Sequence, residues 1–251
     1  MVEYLKRKGV FLKNNGFSAS FYEALDTCLL GRKLTVERSL TGTNDVLRGA
    51  PEQGTVLAAE EQTAGRGRGE HIFESPVGGL YFSAILPGEA AGYATIAAAV
   101  AVAEAIEEQC GVRGNIKWVN DIQIEGKKLC GILAERRADG GVVLGVGVNT
   151  NSRAEQFSPG LRPKITTLAD MGLAIDNGRL CAFILNRLET MARANTAALI
   201  DMYKERCITI GREIDAPFKA RAIGIDEIGR LIVERPDGTR QAISSGEISE
   251  A

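Results

Sequence analysis

The sequence reads KWVND at residues 117–121 and GKKLCGIL at residues 126–133, with a Glu-Gly turn between two apolar runs. This segment contains the single tryptophan of the chain together with lysines, an amide and a carboxylate. Lys128 precedes an apolar strand, where a lysine can point inward and pair with a substrate anion. Hairpin lysines are usually only solvated, and an Asn-Asp turn after a strand is common. The segment alone therefore leaves a binding site and a plain surface hairpin both open.

Four short runs rich in β-branched residues surround that turn and predict strands. They lie at residues 116–119, 122–124, 129–135 and 142–148. Glu125-Gly126 and Asp139-Gly140-Gly141 separate the later runs, and such glycine-containing segments are typical of the turns of β-hairpins. The pattern predicts a meander of antiparallel strands.

The rest of the chain supplies helices and further strands around this meander. An alanine-rich run at residues 90–110 predicts a helix that ends before Gly111, and its small side chains favour close packing onto a sheet. A second amphipathic helical region is predicted at residues 180–203. Shorter segments are predicted as a helix at residues 21–30, closed by Gly31, and as strands at residues 55–59 and 79–86.

The character of the sequence changes after Arg212, where short strands alternate with tight turns up to the C-terminus. We predict a small β-barrel domain at residues 212–251. The preceding residues 1–211 are predicted to form one larger domain, in which residues 1–15 are a short extension. The predicted fold class is α+β, with a mixed, largely antiparallel sheet packed by helices.

Composition excludes several classes of protein. At 251 residues, with 45% hydrophobic and 25% charged residues, the chain can bury a full core. The formal net charge of -2 argues against a dedicated nucleic-acid binder. Because His71 is the only histidine, a histidine-rich metal site is impossible, and we predict no metal-ligating residues.

The sequence also bears on the cellular compartment. The five cysteines are widely spread and contain no CxxC pair, which favours a reducing cytoplasm. The N-terminus lacks the pattern of a signal peptide. The longest apolar stretch, residues 93–106, is too short to span a membrane. A soluble cytoplasmic protein without a membrane partner is expected.

A glycine-arginine loop, QTAGRGRG at residues 62–69, lies upstream. Its glycines let backbone N–H groups approach an anion, and its arginines supply donors matched to phosphate or carboxylate oxygens. A solvated basic loop and an RGG-like nucleic-acid contact are the alternatives. The loop lacks the Gly-Lys-Ser/Thr ending of a Walker A motif, and no helix pattern opens directly after it, so it is not a Rossmann fingerprint either.

A further strand, GVGVN at residues 145–149, contains two glycines. Because glycine weakens a strand, its presence suggests the close approach of a ligand or of a second backbone. Tight packing of a helix on the sheet would explain the glycines equally well.

In this order the motifs resemble the biotin–protein ligase family, in the form without an N-terminal winged-helix repressor domain. The resemblance runs from about Leu25 to Ile248 and implies a class II synthetase-like catalytic domain followed by an SH3-like β-barrel. It rests on GTND at 42–45, the loop at 62–68, SP at 75–76, GLYFS at 79–83, KWVND at 117–121, GKKLCGILAE at 126–135, GVGVN at 145–149, and GID, GRL, DG and SGE between 224 and 247.

The resemblance also implies roles for individual residues. Thr43, Asn44 and Gln62 match positions that contact the biotin head group, and Lys128 matches the lysine that holds the biotin carboxylate and the phosphate. The implied catalytic residues are Lys128, Arg66, Arg68 and Asp121. The implied biotin-binding residues are Gly42, Thr43, Asn44, Gln62, Gly65, Arg66, Gly67, Arg68, Lys128, Gly131 and Gly145. The implied ATP-binding residues are Arg68, Phe73, Trp118, Asn120, Lys128 and Asn149.

The chain departs from the family pattern beside the loop. Gly69, Glu70, His71 and Phe73 stand where relatives usually carry Arg, Gly, Arg and Trp, so two cations are lost and an anion appears. We expect the Glu70 carboxylate to repel a bound triphosphate unless it turns outward. Gly42 stands where a serine is usual, which removes one hydroxyl from the implied biotin pocket.

The function implied is ATP-dependent biotin–protein ligation. Biotin and ATP, with Mg²⁺, would form biotinyl-5′-AMP, from which biotin passes to a lysine of a biotin carboxyl carrier protein. A lipoate or octanoyl ligase-like enzyme is the alternative within the superfamily. A biotin- or adenylate-binding protein with weak transferase activity is the alternative of another class. The residues ahead of Leu25 are too few for a winged helix, so no specific DNA binding is expected, and a homodimer stays open.

Overall fold

The computed structural model describes residues 16–50, 52–215 and 218–244. The extension expected at residues 1–15 and the end of the C-terminal pattern at residues 245–251 lie outside the described residues. The strands are β1 (Lys33–Leu40), β2 (Thr55–Gln62), β3 (Leu80–Leu86), β4 (Asn115–Lys117), β5 (Asp121–Ile124), β6 (Lys127–Arg136), β7 (Val142–Val148), β8 (Glu213–Ile214), β9 (Ala220–Ile225), β10 (Leu231–Glu234) and β11 (Arg240–Ile243). The α-helices are α1 (Gly16–Ala24), α2 (Thr43–Leu47), α3 (Ala94–Cys110), α4 (Asn177–Met191) and α5 (Thr196–Arg206), and short 3₁₀ turns lie at Gly88–Ala90, Ala154–Gln156 and Arg162–Lys164.

Seven strands form the large sheet, in the order β1-β2-β3-β7-β6-β5-β4. β1 pairs with β2 in parallel, and the other neighbouring strands of this sheet, as described, pair in antiparallel fashion. The meander is therefore confirmed, as is the α+β class with a mixed, largely antiparallel sheet. β3 and β7 lie at the centre and are buried along their whole length, so apolar residues dominate both strands and do not alternate with polar ones, apart from the buried Ser83 of β3.

Helix α3 packs against this sheet through its small side chains. Its residues from Ala97 to Ala103 are all buried, and the helix contacts the strands of the meander. Gly111 adopts φ 67° and ends the helix as predicted. The helix begins at Ala94 rather than at residue 90, because Gly88–Ala90 form a separate 3₁₀ turn. Neither α3 nor any other described helix is long and apolar enough to cross a membrane.

The helix predicted at residues 21–30 is wrong in its bounds, because α1 ends at Ala24. Asn186 on α4 stops it: its Nδ2 donates to the carbonyl oxygen of Ala24 at 2.9 Å, and its Oδ1 accepts from the N–H of Asp26 at 2.8 Å. The carboxylate of Glu189, one helical turn further along α4, accepts the N–H groups of residues 28–30. Side chains of a distant helix thus hold the segment after α1 in a non-helical conformation.

The helical region predicted at residues 180–203 is two helices, α4 and α5. The chain leaves the first helix after Met191, and Asn195 caps the second one, since its Oδ1 accepts the N–H of Ala197 at 2.8 Å. Two elements were not predicted, β1 and α2. β1 is an edge strand with mostly exposed residues, and α2 spans only one and a half turns, too few for a periodic pattern to be visible.

The C-terminal strands form a second, four-stranded antiparallel sheet in the order β11-β10-β9-β8. Its turn before β10 contacts the first part of the chain: the indole Nε1 of Trp118 donates to the carbonyl oxygen of Gly229 at 3.1 Å. A Cβ on Gly229 would lie 2.0 Å from Cδ1 of Ile96 on α3. With a φ of 85° and this close contact to Ile96, position 229 requires glycine. The domain boundary at residue 212 stays our prediction.

Candidate active site

A cavity of about 640 Å³ lies between α2, the glycine-arginine loop and strands β5 to β7. Most residues singled out by the sequence line it, so the structure brings together groups that are far apart in the chain. They are Gly42, Thr43, Asn44, Gln62, Arg66, Gly67, Arg68, Phe73, Trp118, Asn120, Asp121, Lys128, Gly131 and Gly145. Gly65 and Asn149 do not belong to the lining.

Lys128 on β6 reaches the cavity, whereas its neighbour Lys127 is exposed and lies outside it. The Nζ atom of Lys128 is 2.8 Å from Oδ1 of Asp121 on β5 and 5.6 Å from the centre of the Phe73 ring. The register shifts between Ile122, which pairs with Cys130, and Gln123, which pairs with Lys128, so a bulge lies directly beside Lys128 on β6. A purely solvated hairpin lysine is therefore the wrong interpretation for Lys128.

The glycine-arginine loop folds back on itself as a small hairpin over the cavity. The N–H of Gly67 donates to the carbonyl oxygen of His71 at 2.7 Å, and the N–H of Phe73 donates to that of Gly65 at 2.8 Å. A Cβ on Gly65 would lie 2.4 Å from the carbonyl oxygen of Phe73, so this crossing requires glycine. Arg68 reaches across the cavity to Asn120, with its Nη1 3.5 Å from Oδ1.

Arg66 lies in a cluster of two arginines and two carboxylates. Its Nη1 donates to Oδ1 of Asp45 at 2.7 Å, and its Nη2 is 3.1 Å from Oε1 of Glu135 on β6. Arg48 approaches the same Glu135 oxygen at 2.7 Å. The hydrogen bond to Asp45, and then the negative charge of Glu135, raise the pKa of Arg66 above its ordinary value. The positive charge of Arg66, whose side chain is 41% exposed, is thus largely offset by these two carboxylates.

A chain of neutral polar groups forms another wall of the cavity. Oε1 of Gln62 accepts from the backbone N–H of Thr43 at 2.9 Å and from its hydroxyl at 3.1 Å. The buried hydroxyl of Ser83 lies 2.7 Å from Oγ1 of Thr43 and donates to Oδ1 of Asn44 at 2.6 Å. These bonds fix the side chains of Thr43, Asn44 and Gln62 before any ligand binds.

The glycines of β7 make room for two side chains of the site. A Cβ on Gly145 would lie 2.2 Å from Oδ1 of Asn44, and a Cβ on Gly147 would lie 2.4 Å from Cε1 of Phe73. Gly131, the strand partner of Gly147, also lies under the Phe73 ring, since its Cβ would be 2.9 Å from Cε2. The close approach inferred from the sequence is therefore made at Gly147 by the side chain of Phe73 and at Gly145 by that of Asn44 on helix α2, so packing of a helix on the sheet accounts for Gly145.

Trp118 and Asn149 hold the walls of the cavity in place. Trp118 is only 3% exposed, and its backbone N–H donates to Oγ1 of Thr209 at 2.9 Å. Together with the indole bond to Gly229, this makes Trp118 a link between the two sheets, a position that the sequence did not indicate. Asn149 is buried, and its Nδ2 donates to the carbonyl oxygen of Thr166 at 3.2 Å.

The thiol of Cys130 and the phenol of Tyr203, both buried close to charged residues of the site, stay protonated. Burial is the main cause that raises the pKa of the Cys130 thiol. The positive charge of Lys128 lowers this pKa, and the negative charge of Asp121 raises it, but both effects are smaller. Burial likewise raises the pKa of Tyr203, whose hydroxyl donates to the carbonyl oxygen of Val119 at 3.1 Å. Neither group is a thiolate or phenolate nucleophile, so the chemistry of the cavity belongs to its cations, amides and carboxylates.

Glu70, the departure from the family pattern, is exposed and does not line the cavity, although Gly69 and His71 on either side of it do. The sequence interpretation missed several lining residues, among them Asp45, Lys117, Leu161 and Lys164. Asp45 and Lys117 were part of quoted motifs, but Lys164 had no local signal. It arrives beside Lys128 because the N–H of Thr166 donates to the carbonyl oxygen of Lys128 at 2.9 Å.

Comparison with known proteins gives concordant matches over nearly the whole chain. Residues 35–151 match the model of the biotin/lipoate A/B protein ligase family, and residues 208–249 match that of the biotin protein ligase C-terminal domain. The bifunctional ligase/repressor BirA of Bacillus subtilis is 33% identical, and the match covers 97% of this chain and 83% of that protein. The biotin--[acetyl-CoA-carboxylase] ligase of Mycobacterium tuberculosis is 33% identical, over 86% of this chain and 88% of that protein.

A solved structure shares the fold. The biotin protein ligase from Aquifex aeolicus, in complex with biotin and ATP, superposes with a TM-score of 0.77 and 27% identity. The match covers 87% of this chain and 98% of that one. The same architecture of a large sheet followed by a small antiparallel sheet is therefore present in both proteins.

Proposed function

The chain belongs to the biotin protein ligase family, and we propose that it joins biotin to a lysine of a biotin carboxyl carrier domain through biotinyl-5′-AMP. It is an enzyme that ligates biotin with the consumption of ATP. The observation that carries the residue assignments is the cavity itself, in which fixed neutral polar groups on α2 and β2 lie together with Lys128, Arg68 and Asp121. Neutral polar groups suit a ureido head group, and the cations suit a carboxylate and phosphates.

In the first step an oxygen of the biotin carboxylate attacks the α-phosphorus of ATP, and the bond to the pyrophosphate oxygen breaks. Lys128 and Arg68 are the proposed donors to the carboxylate and the phosphate, since both line the cavity and both carry fixed positive charge. Phe73, Trp118 and Asn120, which line the cavity, are the proposed surroundings of the nucleotide, and Asn149, buried outside the lining, is proposed to support them. Arg66 contributes little net charge here because Asp45 and Glu135 already face it.

In the second step the amine of the acceptor lysine attacks the carbonyl carbon of the mixed anhydride, loses a proton, and AMP leaves. Asp121 is the proposed group that orients this amine and accepts its proton. Oδ1 of Asp121 lies 2.8 Å from Nζ of Lys128. An anion bound to Lys128 would compete for that lysine and release Asp121 for the incoming amine.

Mg²⁺ is proposed to arrive with the nucleotide. Among the residues that the structure describes, no group of three or more Asp, Glu, His or Cys side chains could hold a metal ion. Asp121 is a carboxylate in the cavity, and Mg²⁺ that is bound through substrate phosphates needs only one or two protein carboxylates. The donor set therefore fits a nucleotide-borne ion, which would offset phosphate charge in the first step.

The experiment that tests this function follows pyrophosphate release from biotin, ATP and Mg²⁺, with and without a biotin carboxyl carrier domain. We expect a slow release without the acceptor and sustained turnover with it, together with a mass increase on one acceptor lysine. Lipoate or octanoate in place of biotin should not support turnover. Pyrophosphate release that the acceptor does not stimulate would instead indicate an adenylate-binding protein with weak transferase activity.

We place the enzyme in the cytoplasm, acting on carrier proteins and not on DNA or membranes. All five cysteines, which lie in the described part of the chain, are unpaired, as suits a reducing compartment. A net charge of -2 offers no overall attraction to DNA phosphates. Sedimentation with and without biotin and ATP distinguishes a monomer from a homodimer.

A further inference from the structure

The carboxylate of Glu135 contacts two parts of the cavity, which the backbone also joins where the N–H of Ala64 donates to the carbonyl oxygen of Thr41 at 2.9 Å. Its Oε2 accepts from Nδ2 of Asn44 at 2.8 Å. Its Oε1 lies 3.1 Å from Nη2 of Arg66 and 2.7 Å from Nη2 of Arg48. Each oxygen therefore serves one side: the polar wall that contains Asn44, and the glycine-arginine loop that contains Arg66.

The Asn44 side of this link is rigid. Asn44 is 7% exposed, and its Oδ1 accepts from Ser83 while the missing Cβ of Gly145 leaves the space that it occupies. Its Nδ2 is shared between Glu135 and the carbonyl oxygen of Leu133, at 2.8 and 3.3 Å. A ligand that accepts from Nδ2 of Asn44 must share or displace its bonds to Glu135 and to the carbonyl oxygen of Leu133.

On the other side of this link, ion pairs hold the glycine-arginine loop at Arg66. Besides Glu135, Arg66 contacts Asp45, so one guanidinium joins the loop to α2 and to β6 together. Arg66 also pairs with Ile72 across the small hairpin of the loop. Arg68, two residues further on, lines the cavity from the same hairpin. Movement of Arg66 therefore shifts Arg68 as well.

We propose that Glu135 is a positioning residue that couples the biotin head-group site at Asn44 to the loop that presents Arg68 to the nucleotide. This inference rests on the proposed function, because it takes Asn44 as a biotin contact and Arg68 as a phosphate contact. Glu135 itself touches neither substrate. Its effect is a coupling free energy: biotin strengthens nucleotide binding, and the nucleotide strengthens biotin binding by the same factor.

The test measures the affinity of the full-length protein for the non-hydrolysable analogue α,β-methylene-ATP, in the presence and absence of saturating biotin. In the parent protein we expect biotin to tighten analogue binding at least about 10-fold, equivalent to about 1.4 kcal/mol of coupling. In Glu135→Gln, which keeps the shape and loses the charge, and in Glu135→Ala, the ratio should fall below about twofold. Affinity for the analogue alone should change less than this ratio does.

Asp139→Asn is the matched control, because Asp139 is also a carboxylate that pairs with an arginine near β6, namely Arg137 at 2.9 Å, but lies outside the cavity. Asp139→Asn should show the same ratio of analogue affinities, with and without biotin, as the parent protein. Arg66→Gln should remove the coupling to the same extent as Glu135→Gln, and the double variant should lose no more than either single one. A merely structural loss would lower both affinities and leave their ratio unchanged.

Each result has a clear meaning. A parent protein that binds neither biotin nor the analogue would refute the proposed function. A parent that binds both, with a ratio that Glu135→Gln and Glu135→Ala leave intact, would refute the coupling role alone, as would a parental ratio near one. Thermal unfolding of each variant shows whether it is folded, and Glu135→Gln remains informative if Glu135→Ala does not fold.

Discussion

The Nζ atom of Lys128 lies 2.8 Å from Oδ1 of Asp121, on neighbouring antiparallel strands of the large sheet. The pair is partly exposed, with 30% and 22% of the two side chains accessible, so a ligand can reach both partners. The pairing holds the lysine side chain in a defined orientation within the cavity. The two proposed steps use the two partners in turn. Lys128 binds the carboxylate and the phosphate in the first step, and Asp121 orients the amine in the second.

Lys128→Ala should slow biotinyl-adenylate formation at least about 10-fold, about 1.4 kcal/mol in transition-state terms, because a fixed charge beside the phosphate is lost. Single-turnover formation of the adenylate measures this. Lys127→Ala is the control, since Lys127 is the adjacent lysine but is exposed and outside the cavity. Equal rates for the parent protein and Lys128→Ala would remove Lys128 from the mechanism.

Glu70→Gly should change the KM for ATP by less than about twofold at physiological salt, because exposed charges are strongly screened by counter-ions. The sequence alone raised the expectation of repulsion, but Glu70 is exposed and outside the lining of the cavity. Steady-state kinetics at two salt concentrations check this. A KM that falls severalfold, and more so at low salt, would mean that Glu70 acts on the bound nucleotide.

Gly147→Ala should destabilise the protein by about 1–3 kcal/mol, the usual cost of overpacking a tight core site. The new methyl group would lie 2.4 Å from Cε1 of Phe73. Chemical denaturation measures the change. Adding Phe73→Leu should recover part of the loss, because the clash and its relief share one contact.

Gly224→Ala on β9 is the control for this substitution, since nothing lies within 4 Å of its added Cβ. It should leave the free energy of unfolding within about 0.5 kcal/mol of the parent. If Gly147→Ala were equally neutral, the Phe73 ring would have to occupy another position.

Glu189→Gln should lower the free energy of unfolding at neutral pH by about 1–3 kcal/mol, because the carboxylate accepts three backbone N–H groups and contacts Arg193 at 3.0 Å. Burial raises the pKa of Glu189, but the N–H groups of Leu30, Leu29 and Cys28 outweigh it, and the net pKa lies below its ordinary 4.5.

The sign of the pH dependence follows from that lowered pKa. The stabilisation by Glu189 is fully present above the unfolded pKa near 4.5 and is lost as pH falls through the lower folded value. Denaturation from pH 7 to pH 3 should therefore show the parent and Glu189→Gln converging at the acid end. Parallel curves over the whole range would contradict the role of the charge.

The sequence alone predicted those features that are determined by consecutive residues. The β-branched runs between glycine turns predicted the meander from β4 to β7, and Gly111 predicted the end of α3, since both depend on neighbouring residues. The order and spacing of the motifs likewise identified the biotin protein ligase family. They also indicated most residues that line the cavity, because each motif keeps its chemistry in a few consecutive positions.

Tertiary structure alone decided which distant groups meet. Asn44 and Glu135 are 91 positions apart, and Cys28 and Glu189 are 161 apart, yet each pair is hydrogen-bonded in the folded protein. The same holds for Phe73 over Gly147 and for Lys164 beside Lys128. Such contacts depend on the packing of whole strands and helices against one another, which leaves no periodicity in the local sequence, so neither partner indicates the other.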